Sequence, residues 1–208
     1  PWEKIIPSEG IEAEHCALIE PMSVGFHAVN RAQVTDNDVV MVIGCGMIGI
    51  GAIVRASLRG ATVIAVDLDD EKLAIAKKTG ATFTVNSAKE NVSEKVSALT
   101  GGLMADVVIE AVGAPATQNT AIQCVCFTGR VVFIGYSKSD TSFQTRLFVQ
   151  KELDIRGSRN ALPEDFRGVI HFLKSHGCPF DKLISAVVSP ESAADAMKKW
   201  HEAPQKVF

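Results

Sequence analysis

The sequence predicts an α/β fold built on a doubly wound, parallel, six-stranded sheet. Three observations lead there. Short apolar runs recur at 39–43, 62–67, 83–85, 105–110, 130–135 and 152–157. Such runs read as strands buried on both faces. Segments with helical character lie between them at 47–59, 70–79, 90–99 and 116–126. Regular alternation of strand and helix places helices on both faces of a parallel sheet.

The first strand, VVMVI at 39–43, runs straight into Gly44-Cys45-Gly46-Met47-Ile48-Gly49. This is the G-x-G-x-x-G spacing, and a largely apolar helix follows it. Each glycine has a physical task in that setting. Gly44 permits a tight turn, Gly46 lets a pyrophosphate approach the backbone, and Gly49 lets the helix pack against the strand. The helix start offers N–H groups and a positive dipole end to phosphates, with Met47 and Ile48 in its first turn. Glycine-rich turns alone are common, so the next strand matters. It spans 62–67 and ends at Asp67, 18 residues beyond Gly49. That is where a dinucleotide-binding fold of the Rossmann type places a carboxylate for the adenosine ribose. A plain βαβ unit, its glycines serving packing only, is the competing reading.

The helix ends are well marked. Lys77-Lys78 sit in a last turn, with Gly80 beyond them as a left-handed cap, and Gly101-Gly102 close the next helix. The two ends of the chain differ from the middle. Residues 11–31 read as two helical pieces broken at Pro21. Residues 163–176 form a helix with Pro163 in its first turn and Gly177 after it. A short strand at 183–188, a last helix from Ser189 to about His201, and the start of a strand at 206–208 complete the pattern. The expected division is 1–33 as a remnant of a second domain with a linking helix, 34–160 as the dinucleotide-binding domain, and 161–208 as a segment returning to the second domain. The chain does not begin with Met, and it is expected to be a fragment or a processed product.

Composition sets further bounds. The 208 residues are 47% hydrophobic and 22% charged, enough for a sizeable core. A net charge of −3 supplies no basic footprint for nucleic acid. No apolar run approaches the roughly 20 residues of a membrane span, and no targeting peptide opens the chain. The five cysteines, at 16, 45, 124, 126 and 178, are irregularly spaced and form no CxxC pair. No disulfide framework is expected, and a reducing cytoplasm is the expected compartment. Cys124 and Cys126, two apart on a predicted helix, point to different sides and are expected to pack rather than ligate.

Several segments, taken in order, resemble one family. They are ALIEPMSVGFHA at 17–28, the 44–49 turn, Val66-Asp67, DVVIEAVG at 106–113, GRVVFIG at 129–135 and IRGSRN at 155–160. Together they resemble the C-terminal part of zinc-dependent medium-chain alcohol and polyol dehydrogenases, over essentially the whole chain. Glu20-Pro21 is similar to the sorbitol, threonine and sugar-acid branch. GSRNALPEDF at 157–166 most resembles galactonate- and gulonate-type 5-dehydrogenases. The resemblance implies reversible hydride transfer from a secondary alcohol to NAD+, with zinc polarising the alcohol oxygen. The substrate would be a small polyol, sugar acid or amino alcohol.

The resemblance also distributes roles. Asp67, Leu68 and Lys72 would hold the adenosine ribose. Val112 and Gly113 would lie against the cofactor, and Ile134, Gly135, Ser158 and Arg159 would present backbone groups to the nicotinamide carboxamide. Arg159 and Asn160 could reach a substrate carboxylate, Arg through paired hydrogen bonds. Asp69 and Asp70 add charge that repels a 2′-phosphate, so NAD is expected rather than NADP. Glu20 lies in an otherwise apolar stretch and would be costly to bury unless paired or ligated. It would act at or next to the zinc, as both a catalytic and a metal-shell residue. A surface charge at a helix break is its bland alternative, and a solvated helix charge is that of Lys72. His15 and His27 are expected to be structural, and His171, His176 and His201 to sit on helix surfaces.

The family's N-terminal catalytic domain, with its Gly-His-Glu motif and structural zinc lobe, has no counterpart in these residues. A catalytic zinc needs about three protein ligands, and Glu20 alone is a candidate. No fully ligated zinc is expected in this chain, nor turnover by it alone. A stand-alone NAD-binding module, a zinc-free medium-chain reductase and an S-adenosylmethionine-dependent methyltransferase are the competing functions. Association into a dimer or tetramer through the last strand of the sheet is expected, because exposed edges invite pairing.

Overall fold

The computed structural model describes residues 5–8, 10–175 and 180–203. Six parallel strands form one sheet: β1 (Val39–Ile43), β2 (Thr62–Asp67), β3 (Phe83–Asn86), β4 (Ala105–Glu110), β5 (Val125–Phe133) and β6 (Asp154–Gly157). Their order is β3-β2-β1-β4-β5-β6, so the winding reverses between β1 and β4. That is the doubly wound Rossmann arrangement the sequence predicts. The last rung at the reversal pairs Ile43 with Glu110.

Period-two alternation splits the strands between two cores. Val40, Val42, Val63, Ala65, Val107 and Ile109 face one helical layer. Met41, Ile43, Ile64, Val66, Val85 and Val108 face the other. On the first side pack α2 (Ile19–Arg31), α3 (Met47–Leu58), α4 (Asp70–Lys78) and α8 (Pro163–Ser175). On the second pack α5 (Val92–Leu99), α6 (Pro115–Cys124) and the short α7 (Arg146–Gln150). The chain opens with α1 (Ala13–Cys16). After α8 come α9 (Phe180–Leu183), a 3-10 turn at Pro190–Ser192 and α10 (Ala193–Glu202).

Helices α2 and α3 approach at backbone distance. A Cβ on Gly25 would fall 2.1 Å from the Ile48 carbonyl oxygen, and one on Gly51 would fall 2.4 Å from that of Met22. Polar side chains fasten the same layer. Asp165 of α8 is buried and accepts from His27 Nδ1 at 2.9 Å, Asn30 Nδ2 at 2.5 Å and the Leu162 N–H at 2.8 Å. Asn30 Oδ1 accepts in turn from Arg59 Nη2 at 2.7 Å. Arg55 lies 5.4 Å from the centre of the Phe26 ring.

The structure differs from the sequence reading at several places. Pro21 does not break a helix. It lies in the first turn of α2, where its missing N–H has no intrahelical acceptor to lose. The interruption falls at residues 17–18 instead. The helix predicted at 116–126 ends at Cys124, and β5 starts at the next residue. Cys124 is therefore buried at a helix end and Cys126 half-buried in a strand, not two positions on one helix. No strand forms at 183–188. Leu183 ends α9 and residues 184–189 have no regular structure and pair with none of the six strands. Helix α7 was not expected. Gly80, Gly101 and Gly102 take positive φ, as caps require. Gly177, His176 and the apolar start at 206–208 lie outside the described residues. His171 and His201 stand on exposed helix faces.

Candidate dinucleotide-binding site

The 44–49 turn sits at the C-terminal end of β1, beside the reversal of strand order, where ligands of open α/β sheets bind. Its geometry separates the three glycines. Gly44 has φ +94°, and a Cβ there would press on Val112 Cγ2 at 2.7 Å. A Cβ on Gly49 would fall 1.8 Å from the Gly44 carbonyl oxygen. A Cβ on Gly46 would meet nothing within 4 Å. Gly44 and Gly49 thus serve the fold, while Gly46 leaves open space over the turn. Gly46 also caps α3, so the N–H groups of Met47, Ile48 and Gly49 have no acceptor within the helix. A pyrophosphate fits such a place.

Asp67 closes one side. Its Oδ2 accepts the Cys45 N–H at 2.7 Å, and its Oδ1 accepts those of Leu68 at 2.8 Å and Asp69 at 3.1 Å. A carboxylate offers about four acceptor positions, so Oδ2 keeps capacity for a hydroxyl. Leu68 is largely exposed beside it, and Lys72 is half-buried on α4. Asp69 caps α4 through the Glu71 and Lys72 N–H groups, and Asp70 pairs with Lys89. Cys45 is fully buried. Burial, then the Asp67 charge, push its thiol well above the ordinary range.

The other side continues without a gap. A Cβ on Gly113 would meet the Tyr136 backbone at 2.5 Å, and one on Gly135 would meet the Gly113 nitrogen at 2.1 Å. The 112–113 and 134–136 turns therefore lie back to back. The N–H groups of Ile134 and Gly135 both go to the Glu110 carbonyl, and that of Ser158 goes to Phe133. If these residues present backbone groups to a ligand, those groups are carbonyls. Ser158 Oγ is buried without a hydrogen-bond partner among the described residues. Arg159 and Asn160 are exposed at the end of this row.

Glu20 is not a buried carboxylate. It is exposed in the first turn of α2 while Ile19 and Met22 take the core, and an acid at a helix start is favourable there. The adjacent Leu18 and Pro21 line a groove of about 720 Å³ that also includes Gly46, Met47 and Ile48. Its far wall comes from α10, whose Ala193, Ala196, Met197 and Trp200 recur at i, i+3, i+4 and i+7. Another cavity, of about 470 Å³ near Asp70 and Lys89, includes none of the predicted site residues. His27 is bound to Asp165. Among the described residues no three His, Cys, Asp or Glu side chains come together to hold a metal ion. The zinc of the resembled family does not fit these residues alone.

Two participants were not singled out from the sequence. One is the Cys45 N–H, which ties the turn to Asp67. The other is Glu110, a carboxylate directly after the apolar run VVI at 107–109, at the end of β4 and fully buried beneath the 112–113 turn. A charged residue at the last position of a buried strand was the signal available.

Fold and turn together define a dinucleotide-binding domain of the Rossmann class. The zinc-binding dehydrogenase family model matches residues 48–175, and the chain belongs to that family. It is 36% identical over 178 residues to an erythritol/L-threitol dehydrogenase of Mycolicibacterium smegmatis, covering 85% of this chain and 49% of that protein. It is 34% identical over 169 residues to an L-galactonate-5-dehydrogenase of Escherichia coli, covering 81% and 50%. The solved structure of an alcohol dehydrogenase from Escherichia coli CFT073, complexed with NADH, superposes with a TM-score of 0.83 at 28% identity, over 97% of this chain and 59% of that one. The chain spans about half the length of the curated relatives it matches.

Proposed function

We propose that this chain is the NAD-holding part of a zinc-type dehydrogenase that oxidises a secondary alcohol of a polyol or sugar acid. The observation that carries the reading is the pairing of the open Gly46 turn with Asp67, whose carboxylate keeps a free acceptor position beside it. When bound, NAD+ supplies the hydride acceptor. The residues of the chain do the holding. The first-turn N–H groups at Met47, Ile48 and Gly49 receive the pyrophosphate. Asp67 accepts from the adenosine ribose hydroxyls, with Leu68 and Lys72 alongside. Val112, Gly113, Ile134, Gly135, Ser158 and Arg159 line the nicotinamide end, the carbonyls receiving its carboxamide. Arg159 and Asn160 stand where a substrate carboxylate would be met. Glu20, next in sequence to the groove-lining Pro21, would enter a metal shell only together with ligands that the described residues do not supply.

The acids Asp67, Asp69 and Asp70 favour NAD over NADP. Titration calorimetry is expected to show NAD binding at least tenfold more tightly. Equal or tighter NADP binding overturns the assignment. The chain by itself is expected not to turn over. Steady NADH production from polyols with added zinc would instead show a complete active site within these 208 residues.

A further inference from the structure

Glu110 is the last residue of β4 and is fully buried. It stands on the final rung opposite Ile43, at the reversal of the sheet. The glycine turn begins one residue past Ile43 and touches Val112, so the carboxylate lies beneath the join of the two turns that floor the crevice. Its Oε1 accepts from the Val112 N–H at 2.9 Å, the Gly113 N–H at 2.9 Å and Thr117 Oγ1 at 2.8 Å. Two backbone N–H groups thus converge on that oxygen with a hydroxyl, which also lies 2.8 Å from the Ala114 carbonyl oxygen. Its Oε2 is buried and meets no hydrogen-bond partner among the described residues. Ion pairs form elsewhere, as at His27–Asp165, Arg130–Asp38 and Arg156–Asp154, but among the described residues no cation pairs with Glu110. A buried carboxylate with half its acceptor capacity unused is costly. Shaping one turn needs only an acceptor, which a neutral amide would also provide.

We propose that Glu110 is a positioning residue that both holds the 112–113 turn and sets a negative charge under the crevice, favouring the oxidised dinucleotide, with its cationic ring, over the reduced one. The inference rests on the NAD reading of this crevice. The nicotinamide ring carries a positive charge only in the oxidised form, so a fixed negative charge in a low-dielectric floor discriminates between the two. It acts on the ring end and leaves the adenosine end, held at Asp67, unaffected.

The test measures NAD+, NADH and ADP-ribose binding to the chain and to Glu110→Gln. Gln keeps the size and one acceptor for the turn but removes the charge. The ratio Kd(NAD+)/Kd(NADH) is expected to rise threefold or more, with ADP-ribose affinity changed less than twofold. Glu110→Asp, which keeps the charge, is expected to hold the ratio near that of the unaltered chain. If Glu110→Gln weakens NAD+ and NADH equally, the charge role is overturned and the cofactor reading stands. If the unaltered chain binds none of the three, the cofactor reading itself fails. Should Glu110→Gln not fold, infrared spectroscopy of the unaltered chain at pH 7 decides. A buried protonated carboxyl band overturns the proposal, and its absence supports it.

Discussion

Single side chains around the 44–49 turn divide into those that serve the fold and those that leave room for a ligand. Gly46 and Gly49 make the division measurable. Gly49→Ala forces a Cβ against a carbonyl oxygen 1.8 Å away and is expected to cost about 3 kcal/mol in chemical denaturation. Gly46→Ala meets open space and is expected to leave stability within about 0.5 kcal/mol, while weakening NAD binding about tenfold, or 1.4 kcal/mol. Cys45, between Gly44 and Gly46, gives a pH signature. Its raised thiol pKa means the folded chain keeps a proton that the unfolded thiol releases above about pH 8.5. Stability is therefore full below that value and falls as pH rises beyond it. Cys45→Ala is expected to flatten the decline in unfolding free energy between pH 8 and 10. Cys124, also raised by burial, leaves a residual slope.

Among elements, α2, α3 and α8 depend on one polar node. Asp165 receives donors from α2 and from the start of its own helix. Asp165→Ala strands His27 and Asn30 without their acceptor and is expected to cost about 3 kcal/mol in urea unfolding. A loss below about 1 kcal/mol would mean the node contributes little. The elements that were legible in the sequence are those with strong periodicity and marked ends. β1, β2 and β4 match their predicted bounds because their centres are continuous apolar runs, as buried parallel strands require, and glycines such as Gly80, Gly101 and Gly102 end the helices between them. The misreadings share a cause, which is the lack of local punctuation. Cys124 passes from helix to strand with no Gly or Pro, so the helix was carried two residues too far. Pro21 suits a helix break and the first turn of a helix equally well by sequence. Residues 183–188 have a strand's composition, but strands need a neighbour, and that is a tertiary fact. The geometry of the candidate site was legible where a turn demands particular residue types: Gly44, Gly46, Gly49 and Asp67 come together at the C-terminal ends of β1 and β2. Glu20 was misjudged in burial because one residue of helical phase decides which side of α2 it occupies.

For the molecule as a whole, β6 is the exposed feature with the clearest consequence. It pairs with β5 on one side, and Ile155 on it is 38% exposed. An edge of this kind either pairs or is protected. Two copies joined edge to edge would form a continuous sheet across a twofold axis. Light scattering is expected to report a dimer, and a monomer at high protein concentration would count against it. Opposite, α10 buries none of its residues and turns its Met197 and Trp200 toward the groove over the glycine turn.

The three N–H groups gathered by Asp67 carry a consequence for how cofactor choice could change over time. The side chain proposed to exclude a 2′-phosphate is also the acceptor that ties the glycine turn to the end of β2. Selectivity and the shape of the turn therefore share one carboxylate. Replacing it to admit a phosphorylated ribose removes acceptors from Cys45, Leu68 and Asp69 in the same step. A lineage moving toward NADP along this route loses stability before it gains a ligand. The easier path keeps an oxygen at position 67, as Asn or Ser would, and brings in positive charge at the exposed Leu68.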